Sequence, residues 1–436
     1  VKPSTAPIRQ QTQLCLGNAG TVVGALVYVR QGQRENCAFA YEQSWLENPK
    51  RFSVSADLQL IRGYQSHKAA SPHDSVFHGA IADTAPDAWG RRVIARDHAR
   101  RRRNDPTLPA LSELDYLLAV DDFSRVGALR LRSADGTWQR TAEAGHRSTP
   151  ALIELERIFE ASRAVERGQE TSEDLRYLQG KGTSLGGMRP KCTMIDEDGW
   201  LAIGKFPSIG DSHSVTRGEV LALKLASQAG IDAAPARIVQ LGDTAVAVIR
   251  RFDRDVNDGR IPYQSAASFL QASREHDHSY TEIADVIRAH CHAPTQDLQQ
   301  LWRRIVFNLL ITNVDDHLQN HGFLHVERGL WRLAPAFDIN PFPDKARESK
   351  TWFSEQDGPI TDVQMLMAGA DYFGLSTDQA LEVLAEVHSA VSNWRPLALS
   401  GEVGLSAAQL DDFAPAFEHE QMEAAADLLK QQTQLL

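Results

Sequence analysis

From residue 180 to residue 252 the sequence alternates in a way that admits few folds. A glycine-rich run is followed by a strand over Lys191–Ile195, an Asp-Glu-Asp-Gly turn, a strand over Trp200–Phe206 and a helix at about 216–229 ended by Gly230. A strand over Ala236–Leu241, a Gly-Asp turn and a strand over Ala245–Arg251 complete the block. β-branched runs bounded by turn residues, with one helical period among them, specify a small sheet carrying one helix. Beyond residue 260 the pattern is mostly helical, broken by a hairpin at Gly322–Ala334 that turns through Glu327-Arg328-Gly329. Ahead of the block, Thr21–Val29 and Cys37–Tyr41 read as an antiparallel pair around Gln31-Gly32-Gln33. Residues 75–118 read as helical, punctuated by Pro86 and Asn104-Asp105-Pro106, and Val126–Leu131 returns to strand. Thr149 as N-cap and Pro150 at the first helical position open a helix to about Arg163. Residues 1–13 read as a frayed polar lead. The class is α+β, β-rich in front and α-rich behind, without repeats.

With 436 residues, the chain allows two to four domains at roughly 100–200 residues each. Its 42% hydrophobic and 24% charged content is that of an ordinary folded protein. A net charge of −11 disfavours coating nucleic acid by bulk charge. The charge is segregated, however: Arg91, Arg92, Arg96 and Arg100 to Arg103, with only Asp97 among them, carry +6 and leave −17 elsewhere. Cys15, Cys37, Cys192 and Cys291 are far apart and form no CxxC pair, so neither a disulfide framework nor a cysteine zinc site is indicated, and a reducing, cytoplasmic setting is expected. The apolar stretch Leu14–Val29, interrupted by Gly17, Asn18, Gly20 and Thr21, reads as strand rather than signal peptide or membrane span.

Three segments look chemical. Gly180-Lys181-Gly182-Thr183-Ser184-Leu185-Gly186-Gly187 lets backbone amides approach phosphate oxygens, with hydroxyls of Thr183 and Ser184 as further donors. It is not a Walker A loop, because no GK[ST] closes it and a strand follows. Alone, it reads more simply as a flexible connector. Lys205 lies near the end of an otherwise apolar strand, where a kinase places the lysine that neutralises α/β-phosphates, with Glu219 on the next helix as the available positioning acid. The bland alternative is a snorkelling lysine. Asp315 and Asn320 in Asn313-Val314-Asp315-Asp316-His317-Leu318-Gln319-Asn320 have the D-x-x-x-x-N spacing of a kinase catalytic loop, and Asp338 follows a hairpin, where kinases hold a second metal aspartate. Any one Asp is more simply a cap or turn residue; the set arrives in the order a two-lobed phosphotransferase requires. The G-x-G-x-x-G, H-R-D and D-F-G signatures are absent, so a eukaryotic-type kinase is not indicated.

Over about Thr21 to beyond Phe342, the chain resembles the HipA-type serine/threonine kinases, toxins of bacterial toxin–antitoxin modules. The resemblance rests on Trp89-Gly90-Arg91-Arg92, Arg125-Val126-Gly127-Ala128-Leu129, Gly182 to Lys191, Arg251-Phe252-Asp253-Arg254, and Asn313 to Asn320 with Phe337-Asp338-Ile339. It implies a two-lobed kinase-like α+β fold: a β-rich N-terminal subdomain over 14–135, a nucleotide-binding lobe over 136–252 and a mostly α-helical catalytic lobe over 253–436. Lys205, Thr183, Ser184, Gly186 and Gly187 would meet ATP phosphates, Arg250 to Phe252 would form the hinge whose backbone meets adenine, and His317 would stand near phosphate. Asp315 would be the catalytic base, and Asn320 and Asp338 would bind Mg²⁺. Ser184 matches the loop serine whose autophosphorylation switches such kinases off, a step that adds roughly −1.5 to −2 charge. Met188-Arg189-Pro190 stands where the best-known members carry Ala-Gln-Glu, whereas Lys191 is kept. The implied partners are a DNA-binding HipB-like antitoxin, operator DNA mainly through that antitoxin, and a protein substrate connected with translation, an aminoacyl-tRNA synthetase being the example; a homodimer within the complex is a further expectation, and no membrane is.

Two other readings stay open on sequence alone. One is a degenerate kinase that binds nucleotide and antitoxin without turnover. The other is a metal-dependent hydrolase on Asp315, Asp316, His317 and His321. Arg100 to Arg103 could grip DNA phosphates or simply end a helix, where cations favour the dipole. His290, His292, His317, His321 and His325 invite a zinc reading, but His290-Cys291-His292 cannot converge on one helical face, and no glutamate sits inside the 317–321 pair.

Overall fold

The structure, a computed structural model, describes residues 7–69, 71, 73–139, 154–181, 188–344 and 348–433. The chain folds as two units that exchange segments. Unit 1 takes residues up to 209, 251–275 and 324–329; unit 2 takes 210–250, 276–323 and 330–436.

In unit 1, β1 (Ile8–Leu16), β2 (Thr21–Gln31), β3 (Arg34–Tyr41), a short α1 (Gln43–Leu46), β4 (Gln65–His67), α2 (Gly79–Ala82), α3 (Ala88–Asn104), α4 (Glu113–Ala119) and β5 (Leu129–Arg132) follow one another. The strands make one antiparallel sheet in the order β4-β3-β2-β1-β5. The expected hairpin around Gly32 is β2–β3, with Gly32 at φ +63°. Residues 8–13, expected to fray, instead belong to β1. Ile8 to Leu16 pairs with β2, and Gln13 to Leu16 also pairs with β5. The polar side chains of Arg9 to Gln11 stay exposed while Thr12, Leu14 and Cys15 turn inward; ladder bonds use only the backbone, so a polar outer half does not prevent pairing.

The Thr149 cap falls outside the described residues. α5 (Leu155–Arg167) runs past the expected Arg163 to a left-handed Gly168 at φ +71°, because Val165 still faces the core. α6 (Ser172–Lys181) takes in Gly180 and Lys181, which the sequence assigned to the glycine loop; the buried Leu175 and Leu178 set a helical period that carries through them. β6 (Lys191–Ile195) and β7 (Leu201–Lys205) pair antiparallel as expected. Unit 1 also receives β10 (Tyr263–Ser265) and α8 (Ala266–Leu270) from later in the chain.

A buried ionic cluster ties these segments. Asp253 accepts from Arg251 Nε at 2.9 Å and Nη2 at 2.6 Å, from Arg254 Nη1 at 2.7 Å and from Gly127 N at 2.7 Å. Gly127 has φ +67°, and a Cβ there would stand 3.1 Å from Tyr263. Arg125, 1% exposed, donates to the carbonyls of Leu117 and Val120, which α4 leaves unpaired at its C-terminal end. The two sequence motifs around Arg125 and Asp253 are thus one structural element.

In unit 2, α7 (Val215–Gln228) lies beside the hairpin β8 (Ala236–Leu241) and β9 (Thr244–Arg250), with Thr216 Oγ1 donating to Ala245 O at 2.9 Å. α9 (Tyr280–His290) opens with a Ser279/Glu282 capping box. α10 (Pro294–Leu310) opens with a proline and buries Leu301, Trp302, Ile305, Phe307 and Leu310, forming the centre of the unit's core. β11 (Gly322–Glu327) begins in this unit and continues into the 324–329 segment of unit 1. The strands β12 (Leu330–Leu333), β13 (Trp352–Ser354) and β14 (Gly358–Pro359) are short, and the remainder is helical: α11 (Val363–Ala368), α12 (Thr377–Ser392), α13 (Trp394–Leu399), α14 (Ala407–Phe417) and α15 (Glu420–Thr433). Among the described residues no helix is long and apolar enough to cross a membrane.

Burial alone would raise the Asp253 carboxyl, but the Arg251 and Arg254 charges outweigh it and hold it well below the usual carboxylate range. The folded-state value lies below the unfolded one of about 3.9; this contribution is therefore present above about pH 4 and is lost as pH falls through the folded value. Asp253→Asn leaves two buried guanidinium groups short of their counter-charge, and urea unfolding followed by circular dichroism should show a loss of about 3–5 kcal/mol.

Candidate functional site

The 308–321 segment of unit 2 leaves α10 through Thr312, a non-glycine residue at φ +55°. Thr312 Oγ1 donates to Ala416 O at 3.1 Å and holds this turn. Its organising group is Asp316, 4% exposed, which no kinase role was expected to use. Asp316 Oδ2 accepts from Tyr280 Oη at 2.5 Å, Asn308 Nδ2 at 2.8 Å and His321 Nε2 at 2.9 Å. The Asp316 carbonyl accepts from Thr351 Oγ1 at 2.7 Å. Burial would raise this carboxyl, but the His321 ring and the bonds from His321 and Tyr280 outweigh it and hold it ionised. Tyr280 is pushed the other way, well above the ordinary phenol range, first by burial and then by the Asp316 charge.

With its neighbour anchored, Asp315 is turned out: its side chain is 39% exposed and ion-paired with Lys350. Asn320 is buried, and its Nδ2 donates to Asp315 O at 3.2 Å. That bond uses one of the two amide N–H groups, and the Oδ1 carbonyl is an acceptor oxygen. His317 is half-buried, and its Nδ1 makes no hydrogen bond among the described residues.

Asp338 is carried by a segment clamped at both ends. Ala336 N donates to Asp232 O at 2.7 Å, and Ala336 O accepts from Ala234 N at 2.9 Å. Asn340 N donates to Asn313 Oδ1 at 3.4 Å, and Phe342 N to Thr312 O at 3.2 Å. Asp338 itself sits at φ +56°, a left-handed conformation that an aspartate holds at a cost of order 1–3 kcal/mol and that the two clamps over-determine. The structure therefore brings Asp315, Asn320, His317 and the Asp338 segment onto one hydrogen-bonded framework.

The other expected site residues lie elsewhere. Lys205 ends β7 in unit 1, 8% exposed and opposite Lys191 in the strand register. Lys191 is ion-paired with Asp87, 3.3 Å away and equally buried. Glu219 is buried in α7, in unit 2. The boundary between units falls between Arg250, which ends β9, and Arg251; Phe252 follows, its ring 6.2 Å from Tyr263. Gly182 to Gly187, with Thr183, Ser184, Gly186 and Gly187, lie outside the described residues. In the arginine run, Arg96 and Arg100 meet Glu170, while Arg101, Arg102 and Arg103 are exposed in the last turn of α3.

Neither histidine-based reading is supported. Among the described residues, Asp315, Asp316, His317 and His321 do not bring three ligand atoms together, since Asp316 is spent on internal hydrogen bonds. His325 stacks on Phe52 at 3.9 Å, and burial pushes it down to about 4. What the sequence missed is the support behind the loop. Asp316 is visible as the second acid of the motif, whereas Tyr280 and Asn308, 36 and 8 positions away, carry no sequence signal.

Two family profiles match the chain, the HipA N-terminal domain over residues 18–119 and the HipA-like C-terminal domain over residues 183–394. Together they span well over half of it, and the chain belongs to the HipA-type kinase family. Among its relatives is the Sinorhizobium fredii protein Y4mE, provisionally named a kinase, 27% identical over 73% of this chain and 75% of the relative. Another is the serine/threonine-protein kinase toxin HipA of Shewanella oneidensis, 24% identical over 53% of this chain and 60% of the relative. The fold matches the solved Shewanella oneidensis toxin–antitoxin complex of HipA, HipB and operator DNA with a TM-score of 0.60 and 15% identity, over 95% of this chain and 96% of that one. The architecture is therefore the two-lobed kinase-like α+β class.

Hydrogen bonds to a charged group are worth about 1.5–3 kcal/mol each, so Tyr280→Phe should lower the unfolding free energy by about that amount in a denaturant titration. Tyr372→Phe, whose hydroxyl donates to the exposed Asp285, should change it by less than about 0.5 kcal/mol.

Proposed function

We propose that this chain is an ATP-dependent protein serine/threonine kinase and the toxin of a type II toxin–antitoxin module. The observation that carries the reading is the framework around Asp316, which turns Asp315 outward and ties to one hydrogen-bonded network Asn320 and the segment that carries Asp338. Family membership and relatives named as kinases support it.

In this reading, Asp315 accepts the proton of a substrate serine or threonine hydroxyl as its oxygen attacks the γ-phosphorus. The bond between that phosphorus and the ADP leaving oxygen breaks, and the proton ends on the Asp315 carboxylate. The ion pair with Lys350 gives way as the hydroxyl arrives. Asn320 Oδ1 and the Asp338 carboxylate are hard oxygen donors of the kind Mg²⁺ takes, so the donor set fits that ion. Mg²⁺, when bound, neutralises phosphate charge. Lys205 adds a positive charge for the α/β-phosphates, with Glu219 as the acid that positions it. Arg250 to Phe252 offers backbone to the adenine, and His317 presents Nδ1 to phosphate. Thr183, Ser184, Gly186 and Gly187 belong to a loop over the nucleotide, and Ser184 is the acceptor of the self-inhibiting phosphate. In the same reading, residues 14–135, 136–252 and 253–436 serve as N-terminal subdomain, nucleotide lobe and catalytic lobe of a cytoplasmic protein.

The partners follow from the same reading: a HipB-like, DNA-binding antitoxin, which links the chain to operator DNA, and a translation-related protein target. The exposed Arg101 to Arg103 are the candidate direct contact to DNA phosphates. No observation favours the degenerate-kinase alternative, since Asp315, Asn320 and Asp338 are all retained.

Incubation with Mg-ATP followed by peptide mass spectrometry should find a phosphate within Gly182 to Gly187. Asp315→Asn should slow its appearance by about 10²- to 10⁴-fold without lowering the melting temperature appreciably, because the side chain is exposed to solvent. Phosphorylation at the wild-type rate in that variant would remove Asp315 from the mechanism.

A further inference from the structure

Unit 1 holds a cluster that the kinase reading leaves unused. It lies at the β4 edge of the five-stranded sheet and joins three segments: the turn containing Asp57, the end of β4 at His67, and His78, the residue before α2. Both imidazole Nδ1 atoms face the same carboxylate oxygen, with His78 at 2.7 Å and His67 at 3.3 Å from Asp57 Oδ2. The rings stand edge to face, their centroids 5.2 Å apart. His78 is 2% exposed, the Asp57 side chain 6% and the His67 side chain 19%.

The remaining polar atoms fix what those Nδ1 atoms can be. His67 Nε2 lies 3.1 Å from Ser75 O, and His78 Nε2 lies 3.1 Å from Gln65 O. A carbonyl only accepts, so each Nε2 must carry the ring proton, and each neutral ring then points its Nδ1 lone pair at Asp57 Oδ2. Exchanging the tautomer of either ring moves the repulsion to its carbonyl. Protons alone satisfy the arrangement only with two adjacent imidazolium ions. Asp57 Oδ1 is already satisfied, accepting from Ser55 Oγ at 2.5 Å, and Ser55 Oγ in turn accepts from Ala80 N at 3.0 Å. Every atom around Oδ2 is thus held by outer partners, and the three inward atoms are all electron-pair donors.

We propose that Asp57, His67 and His78 form a binding site for a divalent first-row transition-metal ion, Zn²⁺ in the first instance, ligated by both Nδ1 atoms and by Asp57 Oδ2. Two imidazoles and one carboxylate are a familiar ligand set for such ions, and imidazoles whose other nitrogen donates to a backbone carbonyl are oriented as metal ligands are. Tetrahedral ligands at about 2.0–2.1 Å from zinc stand roughly 3.3 Å apart. The His67 separation already has this value, and His78 must withdraw by roughly 0.6 Å. The partly open His67 gives the ion its way in and leaves a position for water. The bound ion fastens edge strand β4, the Asp57 turn and the start of α2 to one another. It is independent of phosphotransfer, and the Asp315 framework does not contribute to it.

The test uses the full chain without a polyhistidine tag, loaded with Zn²⁺ and desalted. Metal analysis should find about one zinc per chain, zinc should raise the melting temperature, and a chelator should reverse the rise. His67→Ala should retain less than about a tenth of that zinc, in the range expected when a ligand or its support is lost. His98→Ala, at an exposed histidine that bonds Pro109 O, should retain it all. Histidine carbethoxylation of the wild-type chain, read by mass spectrometry, should show His67 protected by Zn²⁺, a readout that holds even if the variant does not fold. No zinc retained by the wild type, equal zinc in both variants, or His67 modified equally with and without Zn²⁺ would overturn the proposal.

Discussion

The candidate site depends on one buried negative charge. Asp316 is almost wholly buried, so its ionised form persists because Tyr280, Asn308 and His321 each give it a hydrogen bond. Those donors come from α9, from α10 and from the residue just before β11, and satisfying the carboxylate draws the three together. The consequence is local and directional. With Asp316 held inward, Asp315 faces outward and Asn320 folds back onto its backbone carbonyl. Asn313, bonded to Asn308, receives the amide of Asn340 beyond Asp338. The carboxylates that the proposed function makes reactive sit on a scaffold held by a neighbouring acid to which that proposal gives no chemical step. A charge of this kind contributes little net stability relative to an apolar substitute, but once present it penalises every arrangement that leaves it unpaired.

Unit 1 uses the same device around Asp253. There the two arginines two positions before and one after it, together with the amide of Gly127, hold a carboxylate with 2% exposure. Distant stretches are joined by charges that cannot be left alone in the interior. This explains why Arg125 to Leu129 and Arg251 to Arg254 stand out in the sequence although neither carries a catalytic group.

Much of the architecture was legible because it rests on local chemistry. The turns at Gly32 and Gly329 require φ > 0, and the strand pairs on either side of Asp-Glu-Asp-Gly and Gly-Asp were readable from β-branched runs between turn residues. The D-x-x-x-x-N spacing located the loop. Other features were hidden because they depend on partners distant in sequence. The polar start of β1 has no strand period of its own and pairs because β2 runs alongside it, while β5 holds the apolar end of the same strand. Helix α6 continues through Gly180 because Leu175 and Leu178 are buried. Tyr280 and Asn308 look like any helical tyrosine and asparagine until Asp316 is placed beside them. The histidines near the loop invited a metal reading by their spacing alone, whereas the convergent set, His67 and His78 with Asp57, comes from residues that no linear spacing connects.

In the proposed function, everything turns on Asp315 as the base of a protein phosphotransferase. The most direct measurement is quantitative phosphoproteomics of cells expressing this chain or its Asp315→Asn variant at equal levels. A small set of serine or threonine sites, on a protein connected with translation, should be phosphorylated with the wild-type chain and not with the variant. Identical phosphoproteomes, with both proteins folded and present, would contradict it.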